Sequence, residues 1–259
     1  MHRSYRFSNA ITRLPSESVV NGLRFDDIGN PNFEQMLLDH EDYSLALREA
    51  GAEIIQLPQL QNFPDSTFVE DTVLCLSNLA ILMRPGAPSR TGEVTEIEST
   101  IKELFDNVLR IEKPGLIEAG DILTTETEVL VGRSSRTNGE GVKQLAQLLS
   151  DWDYSVREVF TPEDILHFKT DCSLLDAETI LCTKRLEATG CFSKYNVINT
   201  CDGEEAAANA IRYNDFVIFP SGFPKTLEKL QKAGYLLREV NNSECAKLDG
   251  GMSCLSLRF

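Results

Sequence analysis

Short apolar runs of three to five residues recur along this chain, separated by longer stretches where apolar side chains return every three or four positions. The runs have the length of strands and the longer stretches the period of helices. Residues 5–14 alternate well enough for a strand, and 16–23 read as a loop. Asn30-Pro31 offers a cap and a first-turn proline ahead of Met36, Leu37, Tyr43, Leu45, Ala46 and Leu47, and Gly51 stops that helix. His40 falls among Asp39, Glu41 and Asp42 and is expected on the solvated face. Strands are expected over 53–57, 73–76, 80–83 and 108–111. The proline- and glycine-rich 84–90 forms a loop, and a helix from Thr91 carries Ile97, Ile101, Leu104 and Phe105 on one face.

The same order then returns. Strands are predicted over 129–131 and 155–159 around a helix over 138–149. A pair follows over 173–175 and 180–182. Strands over 216–219 and 235–240 flank a helix ended by Gly234. At the end, Leu255, Leu257 and Phe259 alternate with Ser256 and Arg258 as on a half-buried strand. Taking Leu23, Asp71, Glu118, His167, Asn209 and Cys254 as anchors, successive units are 42–49 residues apart. Each unit reads as a polar anchor, a strand pair, a helix and a strand. Repeats of that length mean a propeller, an array or a solenoid, and the helices rule out an all-β propeller. A chain of about five such units can close by pairing its last strand with its first, pointing the anchors at one axis. We therefore expect one closed catalytic domain over 1–259.

Composition narrows the function. The 259 residues carry a net charge of −15 with 42% hydrophobic content, those of a soluble globular protein ill suited to nucleic acid. No apolar run approaches a membrane span, and the polar N-terminus is no signal peptide. Seven cysteines without a C-x-x-C, beside three histidines, make neither a disulfide framework nor a zinc site, and suggest a reduced, cytoplasmic protein. No metal or organic cofactor is called for.

The candidate chemistry lies at the anchors. Asp249-Gly250-Gly251-Met252-Ser253-Cys254 enters the last strand through two glycines, leaving room for a ligand beside a held cysteine. A lone cysteine there is more often packing than chemistry. A histidine partner changes the balance, and with His2 terminal and His40 assigned to the surface, His167 is the candidate. Asp71 and Glu118 beside the pair would repel an anionic intermediate but hold a cation. A guanidinium, whose planar N–H groups match carboxylates bidentately, is the fitting substrate.

Phe63-Pro64-Asp65-Ser66, Phe68-Val69-Glu70-Asp71, Arg84-Pro85-Gly86-Ala87, Glu118-Ala119-Gly120-Asp121, Arg136-Thr137-Asn138, Leu166-His167-Phe168-Lys169-Thr170 and the cysteine segment together resemble the dimethylarginine dimethylaminohydrolase family over nearly the whole chain. The resemblance implies the fold of the guanidino-modifying superfamily, a five-bladed α/β propeller with pseudo-fivefold symmetry built from ββαβ repeats. It implies hydrolysis of methylated arginine to citrulline through a covalent adduct. Cys254 would be the nucleophile, His167 the general acid and base, and Glu118 and Asp71 the guanidinium ligands. Asp65 would bind the substrate amino group, Arg90 and Arg136 its carboxylate, and Leu23 would sit on a lid. Glu70 would support the neighbouring backbone, and Phe68 is the other candidate for the methyl preference. Arginine deiminases are the alternative, but they are longer and place an aspartate two residues after the histidine, where this chain has Lys169. An unpaired carboxylate beside a dimethylated nitrogen would cost about 1–3 kcal/mol, so its absence favours a methylated substrate. An arginine-binding protein without activity would not need Cys254 and His167 together. Dimethylated and monomethylated arginine stay open as substrates, as do monomer and homodimer.

Overall fold

The computed structural model describes residues 4–25 and 27–259, so His2 lies outside the described residues. Strand β1 (Asn9–Arg13) leads through helix α1 (Phe33–Glu49) to β2 (Glu53–Leu57). Next come β3 (Val73–Leu76), β4 (Leu79–Leu82), α2 (Glu93–Leu104) and β5 (Asn107–Arg110), then β6 (Ile122–Thr124), β7 (Val129–Arg133), α3 (Gly139–Leu149) and β8 (Val156–Phe160). The fourth unit is β9 (Cys172–Leu174), β10 (Thr179–Cys182), the single-turn α4 (Lys184–Glu187) and β11 (Asn196–Asn199). The fifth is β12 (Ile211–Tyr213), β13 (Phe216–Pro220), α5 (Pro224–Lys232) and β14 (Leu236–Val240). A short α6 (Ser243–Ala246) precedes the terminal β15 (Leu257–Arg258).

These strands make five three-stranded sheets of one design. In each, the inner strand pairs antiparallel with the middle one, and the middle strand pairs parallel with the outer one, the helix making the crossover. The first sheet borrows its inner strand from the chain's end: Ala10 faces Arg258 and Ile11 faces Leu257, as the terminal alternation predicted. The inner strands β3, β6, β9, β12 and β15 all line one axial cavity of about 360 Å³, which makes the assembly a five-bladed α/β propeller.

Blades hold together because their middle strands are apolar on both faces. Leu79, Ala80, Ile81 and Leu82 of β4 are all buried, one face against the next blade and the other under α2. Removing most of such a side chain costs about 2–5 kcal/mol. The first helix is capped by Asn32, which accepts from Gln35 N–H at 2.9 Å, two residues later than the Asn30-Pro31 start expected, whereas Asn138 caps the third as expected, accepting from Gly141 N–H at 2.8 Å. Gly141 must be glycine, since a Cβ there would meet the Leu116 carbonyl oxygen at 2.2 Å.

Several expectations change. His40 is buried, 2% exposed, because the helix turns it inward beside Met36 and Tyr43 rather than outward with Glu41. The second helix begins at Glu93 rather than Thr91, and Leu104 is exposed while Phe105 is buried. Ser256 is fully buried, so the terminal strand is covered on both faces. The repeat has five anchors, not six. Asp71, Glu118, His167, Asn209 and Cys254 each lie just upstream of an inner strand, while Leu23 lies in the β1–α1 loop.

Candidate active site

The five anchors sit at one end of the axis because each inner strand is entered there through a tight turn. Asp71 lies on the 3-10 turn Val69–Thr72, Glu118 precedes Ala119–Asp121, His167 precedes Phe168–Thr170, and Cys254 lies on Ser253–Leu255. The loops joining middle strands to helices rise at the same end and bring Leu23, Arg90 and Arg136. Leu23, Asp65, Phe68, Asp71, Arg90, Arg136, His167 and Cys254 line one cavity of about 160 Å³.

His167 is the centre of the hydrogen bonding. Its Nε2 lies 2.7 Å from Glu118 Oε2 and 3.9 Å from Asp71 Oδ1. Glu118 is completely buried behind the ring, and its other oxygen accepts from Gly86 N–H at 2.9 Å and meets Arg136 Nη1 at 3.4 Å. Asp71 Oδ1 accepts from Gly120 N–H at 3.0 Å, and its Oδ2 pairs with Arg90 Nη1 at 2.5 Å. Gly120 leaves the space for this: a Cβ would sit 2.6 Å from Asp71 Oδ1 and 3.0 Å from the His167 ring.

Burial works against an imidazolium here, but the Asp71, Asp121 and Glu118 carboxylates outweigh it and raise the His167 pKa to about 9. Burial likewise opposes the Glu118 carboxylate, yet the hydrogen bond and charge of His167, with Arg90 and Arg136, hold it well below the usual range. Burial pushes the Cys254 thiol up to about 12, and Glu70 and Asp71 add to the rise; Gly251 N–H and Lys169 pull the other way. The resting pair near neutral pH is therefore thiol and imidazolium, not thiolate and imidazolium.

Three predicted residues sit differently from the expectation. The Arg90 guanidinium is 4% exposed and committed to Asp71, to Glu93 at 2.8 Å and to the Phe68 carbonyl at 2.8 Å. Arg136 keeps a fifth of its side-chain surface and a single ion pair, so it is the freer of the two for an incoming carboxylate. Glu70 does not line the catalytic cavity. Its Oε1 binds Lys169 Nζ and Arg258 Nη2, both at 2.6 Å, on the side of the axial cavity. Lys169 turns that way with it.

The carboxylate that orients the His167 turn went unassigned in the sequence. Asp121 Oδ1 accepts from Phe168 N–H at 2.9 Å, and its Oδ2 takes the hydroxyls of Ser134 and Thr137, each at 2.6 Å. Its signal was the fourth letter of Glu-Ala-Gly-Asp. Asp249, at φ +57°, accepts from Phe25 N–H at 2.5 Å, and Asp65 accepts from Leu23 N–H at 2.9 Å. The Leu23–Phe25 segment is thus tied over the cavity through backbone amides. Asp71, Glu118 and His167 also offer ligand atoms within 4.8 Å of one another, a spacing a divalent cation would accept, although Arg90 and His167 already balance these carboxylates.

No protein-family model matches the chain. It is 41% identical to the N(G),N(G)-dimethylarginine dimethylaminohydrolase of Pseudomonas aeruginosa, over 98% of this chain and all of that protein. The Streptomyces coelicolor protein of the same name is 30% identical over 96% of both chains. A cysteine-to-serine mutant of the Pseudomonas enzyme complexed with citrulline superposes with a TM-score of 0.96, covering 98% of this chain and 100% of that one. The N-terminal domain of a cyanobacterial arginine dihydrolase, 21% identical with a TM-score of 0.83 and 98% of this chain covered against 97% of its own, shares the fold alone. By sequence over its full length and by fold, this chain belongs to the dimethylarginine dimethylaminohydrolase family.

Proposed function

We infer that this protein hydrolyses Nω-methylated arginine to citrulline and the corresponding methylamine, with Cys254 as nucleophile. The observation that carries this is the cavity itself: one cysteine, one imidazolium and an acidic wall, with a freer arginine at the rim. Such a wall attracts a guanidinium and repels anions. The substrate brings a positive charge to a buried thiol that burial and carboxylates keep protonated, so the thiol releases its proton to solvent when the substrate is bound and regains one when the C–S bond breaks. Cys254 Sγ then bonds to the guanidinium carbon. His167 gives a ring proton to the methylated nitrogen, the C–N bond breaks, and dimethylamine leaves. The remaining thiouronium is cationic and stays against Asp71. His167, now neutral, takes a proton from water, which attacks the same carbon; collapse breaks the C–S bond and frees citrulline.

Glu118 holds the imidazole and its charge. Arg136 takes the substrate carboxylate, Asp65 its amino group, and Leu23 covers it. Arg90 fixes Asp71 rather than binding substrate. Residues 1–259 act as one catalytic unit in the cytoplasm, where the seven free cysteines remain reduced. Light scattering decides between monomer and homodimer. The direct test is citrulline release from dimethylarginine, monomethylarginine and arginine, beside Cys254→Ser. Methylated substrates should turn over and arginine should not, and the serine variant should lose several powers of ten in kcat. Turnover of arginine alone would place the chain with the deiminases.

A further inference from the structure

Every blade delivers one polar residue to the same end of the axis. Four of the five, Asp71, Glu118, His167 and Cys254, belong to the reaction. The fifth is Asn209, just upstream of β12, and it lines neither the catalytic nor the axial cavity. It is 7% exposed. Its Oδ1 accepts from Ser253 N–H at 2.9 Å, the amide next to the nucleophile. Its amide group also fills the space over Gly251, where a Cβ would stand 2.1 Å from Asn209 Cγ. Gly251 N–H in turn points at Cys254 Sγ, 3.5 Å away. One side chain therefore fixes residues 251 and 253, on either side of Met252, in the turn that carries the sulfur.

We propose that Asn209 is a positioning residue for the known reaction, which holds the Gly251–Cys254 turn so that Sγ faces the guanidinium carbon. It acts through Ser253 N–H and Gly251 and touches no substrate. The β12 connection can hold the turn because it enters the axis between the blades of His167 and Cys254. The proposal rests on Cys254 being the nucleophile, and that reading fails separately, through retained activity in Cys254→Ser.

The test pairs two variants of similar shape. Asn209→Leu keeps the volume and removes the acceptor; Asn209→Asp keeps both. A misplacement on the order of 1 Å at a reacting atom costs about 10²-fold in rate. With methylated arginine, Asn209→Leu should lose about 10–10²-fold in kcat with KM within about twofold, because the substrate-binding wall is untouched. Asn209→Asp, assayed where the pH–rate profile is flat, should recover kcat to within about threefold of the parent. The proposal is overturned if the leucine variant keeps its kcat, if its loss appears as a rise in KM, or if aspartate is as slow as leucine. Asn209→Ala replaces leucine should that variant misfold. Misfolding of both would assign Asn209 to stability and overturn the proposal as well.

Discussion

Two buried histidines, one in the first blade and one at the axis, stand in opposite protonation states. His40 packs between α1 and the blade beneath it, 2% exposed, and neither ring nitrogen has a hydrogen-bond partner. Burial lowers its pKa to about 4, and the nearby Arg13 backbone, short of hydrogen-bond geometry, offsets only part of that. His167 is 7% exposed, yet Asp71, Asp121 and Glu118 raise it to about 9. Removing a ring from water sets the same default in both places, the neutral form. Charge within a few ångströms reverses the default only where the fold has gathered carboxylates. The axis is that place because five strand entrances converge there.

Removing the reversed histidine gives the largest effect. His167→Gly takes away the acid that protonates dimethylamine and the base that activates water, and acid–base groups contribute about 10²–10⁴-fold each. We expect kcat to drop by at least about 10³-fold. Hydrolysis of the thiouronium should be the slower half, so an adduct of substrate mass less dimethylamine should accumulate on Cys254 in rapidly quenched mass spectra. Absence of any adduct, with residual turnover intact, would break the assignment of both roles to one ring.

Next in size is the loss of the carboxylate behind the ring. Glu118→Gln keeps the shape and can keep its bond to Gly86 N–H, but turns an amide N–H₂ toward His167 Nε2. The imidazolium loses its nearest counter-charge, and its pKa should fall by about 1–3 pH units. The alkaline limb of the pH–rate profile should move down with it, with kcat reduced about 10–10²-fold. An unmoved limb would mean that another group sets it. The linkage has a sign as well. The folded-state pKa of His167 lies above the ordinary 6.5, so its stabilisation is complete below about pH 6.5 and lost as pH rises through 9. In the glutamine variant that loss should start at the same pH but finish at a lower one, and be smaller in total.

The two histidines also measure what was legible in the sequence. The axial residues could be found because each carries its own punctuation: Glu-Ala-Gly-Asp, Asp-Gly-Gly before Cys254, and a recurrence that points them all at one centre. His40 was misplaced because its neighbours in sequence are acidic, while its neighbours in space, a helical turn away, are Met36 and Tyr43. The fourth blade was half hidden for a similar reason. A four-residue helix has no 3.6-residue period to detect, and the strand Asn196–Asn199 is polar at both ends. The commitments of Arg90, and the turn of Glu70 and Lys169 toward the axial cavity, depend on side-chain direction, which no spacing rule reports.

A smaller effect should separate His40 from His167 by pH alone. Its folded-state pKa, about 4, lies below the unfolded value of about 6.5, so the unfolded chain takes up the proton first on acidification. The contribution is fully present above about pH 6.5, is lost progressively down to about pH 4, and totals about 3 kcal/mol. His40→Leu, of similar size and with no proton to take up, should flatten this part of a denaturant-derived stability curve by most of that amount. An identical acid slope in the variant would show that carboxylates, not this ring, govern acid unfolding.

The smallest expected effect lies at the rim, where charge is exposed. Arg136 has a fifth of its side chain in solvent and one long contact to Glu118, so its loss leaves little buried charge unpaired. Arg136→Ala should leave Tm nearly unchanged and raise KM about 10-fold or somewhat more, with kcat within a few-fold, as for a charge-assisted bond worth about 1.5–3 kcal/mol. Arg136→Lys should recover only part of the affinity, since an ammonium keeps the charge but not the planar fork that meets a carboxylate bidentately. Raising the salt concentration should weaken the parent's affinity more than that of the alanine variant, because the contact is open to screening. The axial imidazolium, sealed behind Asp71 and Glu118, should show no such dependence. A salt-independent KM in the parent would mean that the carboxylate is held by buried groups instead, and would return Arg90 to consideration despite its commitments.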